Sequence, residues 1–302
     1  MNHQHFGDDL AQKVSDNGPL FIGIDPILDV MPRFLHPRTP SRGSIQDTLQ
    51  QFCRLVIENC GPYASGVKFQ SAYFEVWGIA GLAALAYGIN LAKQCDLIVI
   101  LDVKRGDIGS TSEAYGAAYL SHNHELPGGG DGYTNELVSD AITVSPYLGL
   151  DTLEVFFRVA KKGGKGVFVL LRTSNPGSGF LQNAVSGDET VWRKIADFIH
   201  TADVWGKSGY GNFGVVVGAT LENTREIREE MPDTWFLVPG YGHQGGTKKS
   251  VSGLMDRNRS GIILPVSRAL TYGSSADSEL AYGKDLRQRG KSFQREFLEI
   301  IS

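Results

Sequence analysis

Residues 101–111 read Leu-Asp-Val-Lys-Arg-Gly-Asp-Ile-Gly-Ser-Thr and bring Asp102, Lys104 and Asp107 into one short stretch. The apolar run 97–101 before them is short, rich in β-branched residues and ends in charge. Runs of that kind form buried parallel strands covered on both faces. Side chains alternate along a strand, so Asp102 and Lys104 project from one face at its carboxyl end. Gly106 then turns the chain, and Asp107 is expected to come back towards them. Two carboxylates and an ammonium at one strand end are costly in stability unless chemistry uses them. The plainer reading is a surface ion pair at a loop.

The elements that must position these charges follow from apolar periodicity. Strands are predicted over 20–24, 65–69, 97–101, 140–144, 166–171, 213–217, 235–238 and 261–264. Helical patterns fall between them, over 72–89, 110–121, 150–162, 189–205 and 221–230, with Ser44 as the N-cap of an earlier helix. An amphipathic start covers 8–17, and Phe293, Phe297 and Ile300 keep helical spacing at the end. Residues 122–133, with the run Gly-Gly-Gly-Asp-Gly, read as an irregular insertion and a surface loop. Eight strand–helix units without a linker predict an α/β protein, a single (β/α)8 TIM barrel, as one domain over 1–302.

Such barrels carry their active sites at the carboxyl ends of the strands. Asp25, Lys68, Asp102, Lys104, Asp107, Ser145, Gln244 and Arg268 all fall there, on six different strands. That convergence points to an enzyme. The loop after strand seven contains Gly240, Gly242 and Gly245 at dinucleotide-fingerprint spacing, but no acidic residue closes a following strand. Glycines there can instead let backbone N–H groups approach a phosphate, and Arg268 can add a bidentate contact. A phosphorylated substrate follows.

Composition narrows the class. The 302 residues are 41% hydrophobic and 21% charged, values of a globular chain with a sizeable core. With 29 Lys+Arg against 33 Asp+Glu the net charge is -4, and no basic stripe suggests nucleic acid or a membrane surface. The N-terminus lacks a signal-peptide pattern, and the apolar stretch 76–89 is shorter than the ~18 residues of a span, so it reads as a buried helix. Cys53, Cys60 and Cys95 show no metal spacing and read as reduced thiols of a cytoplasmic protein. His122 and His124 lack a third ligand and read as loop residues, and His3 and His5 as a disordered terminus. Arg172 and Asn175 are assigned to loop shaping, and His243 either touches ligand or spaces its loop.

The set Asp102-x-Lys104-x-x-Asp107-Ile108, Gly23-Ile-Asp25-Pro26, Val67-Lys68-Phe69, Pro239-Gly-x-Gly-x-Gln244-Gly and Arg268 resembles the orotidine 5'-phosphate decarboxylase family. The longer 102–111 form, with Thr-Val-Ser-Pro-Tyr147 and Arg-Thr-Ser-Asn-Pro-Gly177, resembles its longer-chain bacterial branch. The resemblance implies decarboxylation of orotidine 5'-phosphate to UMP, the last step of UMP biosynthesis, with no metal and no organic cofactor. It implies that Asp102 lies against the substrate carboxylate, that Lys104 protonates C6, and that Lys68 holds Asp102 and the ribose. It further implies ribose contacts from Asp25, a pyrimidine contact from Ser145, and phosphate-end contacts from Pro239, Gln244 and Arg268. The family works as a homodimer, so Asp107, Ile108 and Thr111 would enter the partner's site. An ammonium near C6 meets the carbanion left by departing carbon dioxide and then supplies its proton. Two other readings share parts of the pattern: a Mg²⁺-dependent sugar-phosphate decarboxylase or aldolase of the same superfamily, and a non-catalytic nucleotide-binding barrel.

Overall fold

The computed structural model describes residues 5–121, 135–221, 224–242 and 245–302. Among them, eight parallel strands close into a barrel in chain order. They are β1 (Leu20–Ile24), β2 (Gly66–Gln70), β3 (Ile98–Arg105) and β4 (Ala141–Val144). The circle continues through β5 (Gly166–Arg172), β6 (Phe213–Val217), β7 (Phe236–Leu237) and β8 (Ile262–Val266). β8 closes it on β1 with Leu20 opposite Leu264 and Ile22 opposite Val266. The outer helices that matter below are α1 (Phe6–Asn17), α2 (Arg42–Cys60), α3 (Gly78–Gln94), α4 (Gly109–Leu120), α5 (Leu150–Gly163), α6 (Val191–Ala202), α7 (Thr224–Glu230) and α8 (Glu279–Ile301).

Strand alternation sorts the core into two clusters. Residues such as Ile22, Val67, Val99 and Val169 face the helices. Phe21, Ile98, Ile100, Phe168, Val216, Leu237 and Ile263 form the other cluster, together with Phe6, Leu10 and Val14 of α1. The helical spacing of those three residues lays α1 across the amino-terminal mouth of the barrel. Phe6 meets Phe168 edge to face at 5.9 Å, and Gly166 leaves its ring room, since a Cβ there would lie 2.4 Å from it. Below β7 and β8, the buried Arg228 guanidinium donates to the carbonyls of Met231, Leu254, Thr234 and Gly261. Thr234 and Gly261 lead directly into the two strands whose far ends carry the glycine loop and Arg268.

Several local expectations are corrected. His5 is ordered: its Nδ1 accepts the Asp8 N–H at 3.1 Å as the cap of α1, and Nε2 donates to the Val204 carbonyl at 2.9 Å. α2 is capped by Ser41, with Ser44 reciprocating in a capping box, so the helix begins earlier than Ser44 implied. The single helix over 72–89 is broken into Ala72–Glu75 and α3, because Gly78 adopts a left-handed φ of 57°. Its apolar surface is buried in part: Ala84, Leu85 and Ile89 lie in the core, whereas Val76, Ile79 and Leu82 are 72%, 64% and 40% exposed. The helix over 189–205 shortens to α6, since Glu189–Thr190 pairs with Val185–Ser186 and Asp203 turns inward to accept three backbone N–H groups. The calls on His3, His122, His124 and the insertion 122–133 lie outside the described residues. Among the described residues no helix is long and apolar enough to cross a membrane.

The amino-terminal plug is expected to serve stability. Phe6→Ala should lower the free energy of urea unfolding by about 3 kcal/mol, the cost of an emptied aromatic site in a packed core. An unchanged unfolding midpoint would show that α1 does not seal the barrel.

Candidate active site

At the opposite, carboxyl-terminal mouth a cavity of about 430 Å³ opens between the strand ends. Lys68 on β2 and Asp102 on β3 are both buried at its floor. Lys68 Nζ donates to Asp102 Oδ2 at 2.9 Å and to Gln70 Oε1 at 3.1 Å. Lys104 Nζ pairs with the other carboxylate oxygen, Oδ1, from a side chain that is 45% exposed. Thr143 on β4 completes the grip: its hydroxyl donates to Asp102 Oδ1 at 2.8 Å and accepts the Lys104 N–H at 2.9 Å. One carboxylate thus joins two ammonium groups and a hydroxyl.

Backbone geometry makes this possible. Pairing between β3 and β4 matches Leu101 with Ile142 and Arg105 with Val144, so β3 carries an excess of two residues. Lys104 absorbs it with a φ of 44°, in the left-handed region that a lysine enters only at a cost. The Asp102 carbonyl is held by the Ser71 N–H and by Gln70 Nε2, both at 3.4 Å.

Burial would push the Asp102 carboxyl up, but the ammonium groups of Lys68 and Lys104 outweigh it and hold the group well below the usual carboxylate range. Burial likewise disfavours the Lys68 ammonium, yet the carboxylates of Asp102 and Asp25 keep its pKa above the ordinary lysine value. Both groups are therefore charged at neutral pH.

The rest of the cavity wall is polar and anchored. Asp25, after β1, accepts from Ser267 Oγ at 2.6 Å through Oδ2, while its Oδ1 is buried with no hydrogen-bond partner. Tyr272 donates to the Asp25 carbonyl and accepts the Ile27 N–H at 2.8 Å, which fixes the turn. Pro239, Gly240, Tyr241 and Arg268 line the side formed by β7 and β8. The Tyr241 hydroxyl donates to Glu296 on α8, and its ring packs on Phe297, tying the glycine loop to the barrel wall. The N–H groups of Gly242, Gly245 and Gly246 close the loop on itself, so these three do not face the cavity as free donors.

Of the residues singled out from sequence, Asp25, Lys68, Asp102, Lys104, Pro239 and Arg268 line this one cavity. Asp107 forms no ion pair with Lys104. Its carboxylate accepts the Ile108 N–H at 2.8 Å, and among the described residues it forms no ion pair. β3 stays extended through Arg105 and α4 begins at Gly109, so the short connection leads outward, with Ile108 64% exposed and Thr111 exposed. Ser145 also stands apart; its N–H donates to the Arg105 carbonyl at 2.8 Å. Gln244 and His243 lie outside the described residues. Sequence reasoning missed Gln70, Thr143, Thr173 and Ser267. Gln70 was within reach, since it lies two residues from Lys68 on the same strand face. Thr143 was not, because its role depends on the β3–β4 register.

Comparison with known proteins fits this geometry. A family model described as the orotidine 5'-phosphate decarboxylase / HUMPS family matches residues 21–279. A Rhodopirellula baltica orotidine 5'-phosphate decarboxylase is 39% identical over 256 residues, covering 83% of this chain and 82% of that protein. A Clostridium kluyveri orotidine 5'-phosphate decarboxylase is 31% identical over 301 residues, covering 97% of both. Among solved structures, the Leishmania donovani OMP decarboxylase superposes with a TM-score of 0.72 at 31% identity, covering 99% of each chain.

The charged core of the site makes a stability prediction. Asp102→Asn leaves the Lys68 ammonium buried without its carboxylate and should cost about 3 kcal/mol in urea unfolding at pH 7. Because the Asp102 carboxyl is held below its ordinary value of ~4, its contribution is complete above that value and is lost as pH falls through the folded value. The gap between wild type and variant should accordingly narrow below about pH 4. A gap that widened in acid would contradict the assignment.

Proposed function

The chain belongs to the orotidine 5'-phosphate decarboxylase family, and on that premise we propose that it converts orotidine 5'-phosphate to UMP and carbon dioxide, the last step of UMP synthesis, as a cytoplasmic enzyme. The observation that carries this reading is the Asp102 carboxylate shared by the Lys68 and Lys104 ammonium groups at the floor of a cavity whose far wall holds Arg268.

Arg268, with Gln244 and Pro239, binds the phosphate end, and Asp25 takes the ribose hydroxyls. The unpartnered Asp25 Oδ1 supports that role, because a buried acceptor left without a donor is costly until a ligand hydroxyl reaches it. Asp102 lies against the substrate carboxylate and disfavours it in the ground state. The bond from C6 to the carboxyl carbon breaks, carbon dioxide leaves, and the electron pair stays on C6. Lys104 meets that charge with its ammonium and transfers a proton to C6; solvent then reprotonates the amine. Lys68 holds Asp102 and the ribose, and Ser145 meets the pyrimidine edge. Remote binding energy at the phosphate serves loop closure and water exclusion.

The enzyme acts as a homodimer in which Asp107, Ile108 and Thr111 complete the partner's site. Exposed apolar side chains support this: Val76, Ile79 and Leu82 follow β2, Ile108 follows β3, and Tyr147 and Leu148 follow β4. These three strands are neighbours, so the residues share one sector of the barrel mouth. A cluster of that kind marks an interaction surface.

The test is incubation with orotidine 5'-phosphate in EDTA, followed by ultraviolet absorbance. Conversion to UMP is expected, and Lys104→Ala should lower kcat by at least about 10²-fold while the protein stays folded. Wild-type turnover in that variant overturns the mechanism. No conversion by wild type, with Mg²⁺-dependent turnover of a sugar phosphate, transfers the chain to the other branch of the superfamily. UMP binding without turnover makes it a nucleotide-binding barrel. Sedimentation should give a dimer for wild type and a monomer for Ile79→Glu; a monomeric wild type removes the shared site.

A further inference from the structure

Lys104 is followed by a second cation that the chemistry above does not use. The Arg105 side chain turns away from the cavity, and its Nη2 donates to Glu75 Oε1 at 2.6 Å and to the Tyr119 hydroxyl at 3.2 Å. Its Nη1 reaches the Val103 carbonyl at 3.5 Å, and Nε is buried without a partner. The guanidinium lies over the rings of Tyr115 and Tyr119, at 5.3 and 5.9 Å from their centroids. Contact with two aromatic rings combined with donation from both terminal nitrogens is a geometry that lysine cannot reproduce.

These contacts join three pieces of chain. Glu75 ends the short helix after β2, and it also accepts from Ser71, whose own N–H holds the Asp102 carbonyl. Tyr115 and Tyr119 stand on α4, the helix that begins directly after Asp107 and Ile108. Arg105 itself closes the irregular pairing with β4, opposite Val144. A left-handed lysine costs on the order of 1–2 kcal/mol and persists only when its surroundings hold it there. Thr143 holds the amide before the strained residue; Arg105 holds the residue after it.

We propose that Arg105 is a positioning residue that, by clamping Glu75, Tyr115 and Tyr119, holds Lys104 in its left-handed conformation and fixes the 106–108 connection at the same time. This rests on the reading of Lys104 as the proton donor. Without the clamp the backbone at 104 relaxes towards extended geometry, and the ammonium leaves Asp102 Oδ1. The same loss frees the segment that carries Asp107 and Ile108. A misplacement of about 1 Å in a reacting group can cost about 10²-fold in rate.

Arg105→Met keeps the apolar stem and removes the fork. With orotidine 5'-phosphate, its kcat per UMP-binding site should fall between about tenfold and 10²-fold, with KM changed by less than about threefold. Hydrogen exchange in the peptide covering 103–112 should speed up by at least about tenfold as the clamp opens. Arg105→Lys should recover part of kcat, since it restores the charge on Glu75 but not the stack. Unchanged kcat with unchanged exchange overturns the proposal. So does a loss of activity that disappears when rates are expressed per UMP-binding site, because that is a folding defect alone. If Arg105→Met does not fold, Glu75→Gln decides, with a smaller fall in kcat and faster exchange expected and wild-type behaviour in both overturning the idea. If the wild type fails to decarboxylate orotidine 5'-phosphate, the functional reading falls by itself, and the exchange rates of 103–112 still decide whether Arg105 holds this segment.

Discussion

A single carboxylate, Asp102, sits between the ammonium groups of Lys68 and Lys104 where little water reaches it, and much of the barrel mouth is arranged around keeping it there. Two unit charges 4 Å apart attract by about 4 kcal/mol at an effective dielectric constant near 20. Desolvating each ion costs several kcal/mol. The two quantities nearly cancel, so the triad adds little to stability that an apolar cluster could not. Its effect is to keep charges of both signs at fixed positions. Neighbouring strands hold it in place: Gln70 from β2, Thr143 from β4, and the bulge that lets Lys104 turn back.

The two mouths of the barrel divide the work. At the amino-terminal end the aromatic rings of Phe6, Phe21 and Phe168 fill the interior and α1 closes it. At the carboxyl-terminal end the interior is left open, and polar side chains from different strands meet there because a closed parallel sheet aims all its strand ends the same way. At the amino-terminal end Arg228 also ties together the carbonyls that lead into β7 and β8.

The chain also leaves part of its chemistry-bearing sequence outside its own cavity. Asp107 and Ile108 lie in the short connection between β3 and α4, where Asp107 accepts the Ile108 N–H and Ile108 is open to solvent. Arg105 is the physical link between that connection and the strained lysine, one side chain touching both supports. Strain at 104 and an outward loop at 106–108 are therefore aspects of one local arrangement.

Much of this was legible in the residues alone. Alternating strand and helix periods, the charged end of the 97–101 run and the placement of Asp25, Lys68 and Arg268 after other strands are local patterns, and local patterns determine element type and strand end. They sufficed for the barrel and for five residues of its cavity, Asp25, Lys68, Asp102, Lys104 and Arg268; Pro239 came from the family resemblance. What they could not determine depends on distance through space. The register that puts Thr143 against Asp102 arises only when β3 meets β4, and the left-handed turn at Lys104 arises from the bulge in that pairing. A turn at Gly106 was expected to bring Asp107 back to Lys104; β3 instead runs on to Arg105 and α4 starts at Gly109, and the Asp107 carboxylate accepts the Ile108 N–H. The apolar face of α3 read as buried because hydrophobicity reports that a surface is to be covered, not by what. Only the packed barrel showed which of those residues its own core reaches and which it leaves exposed.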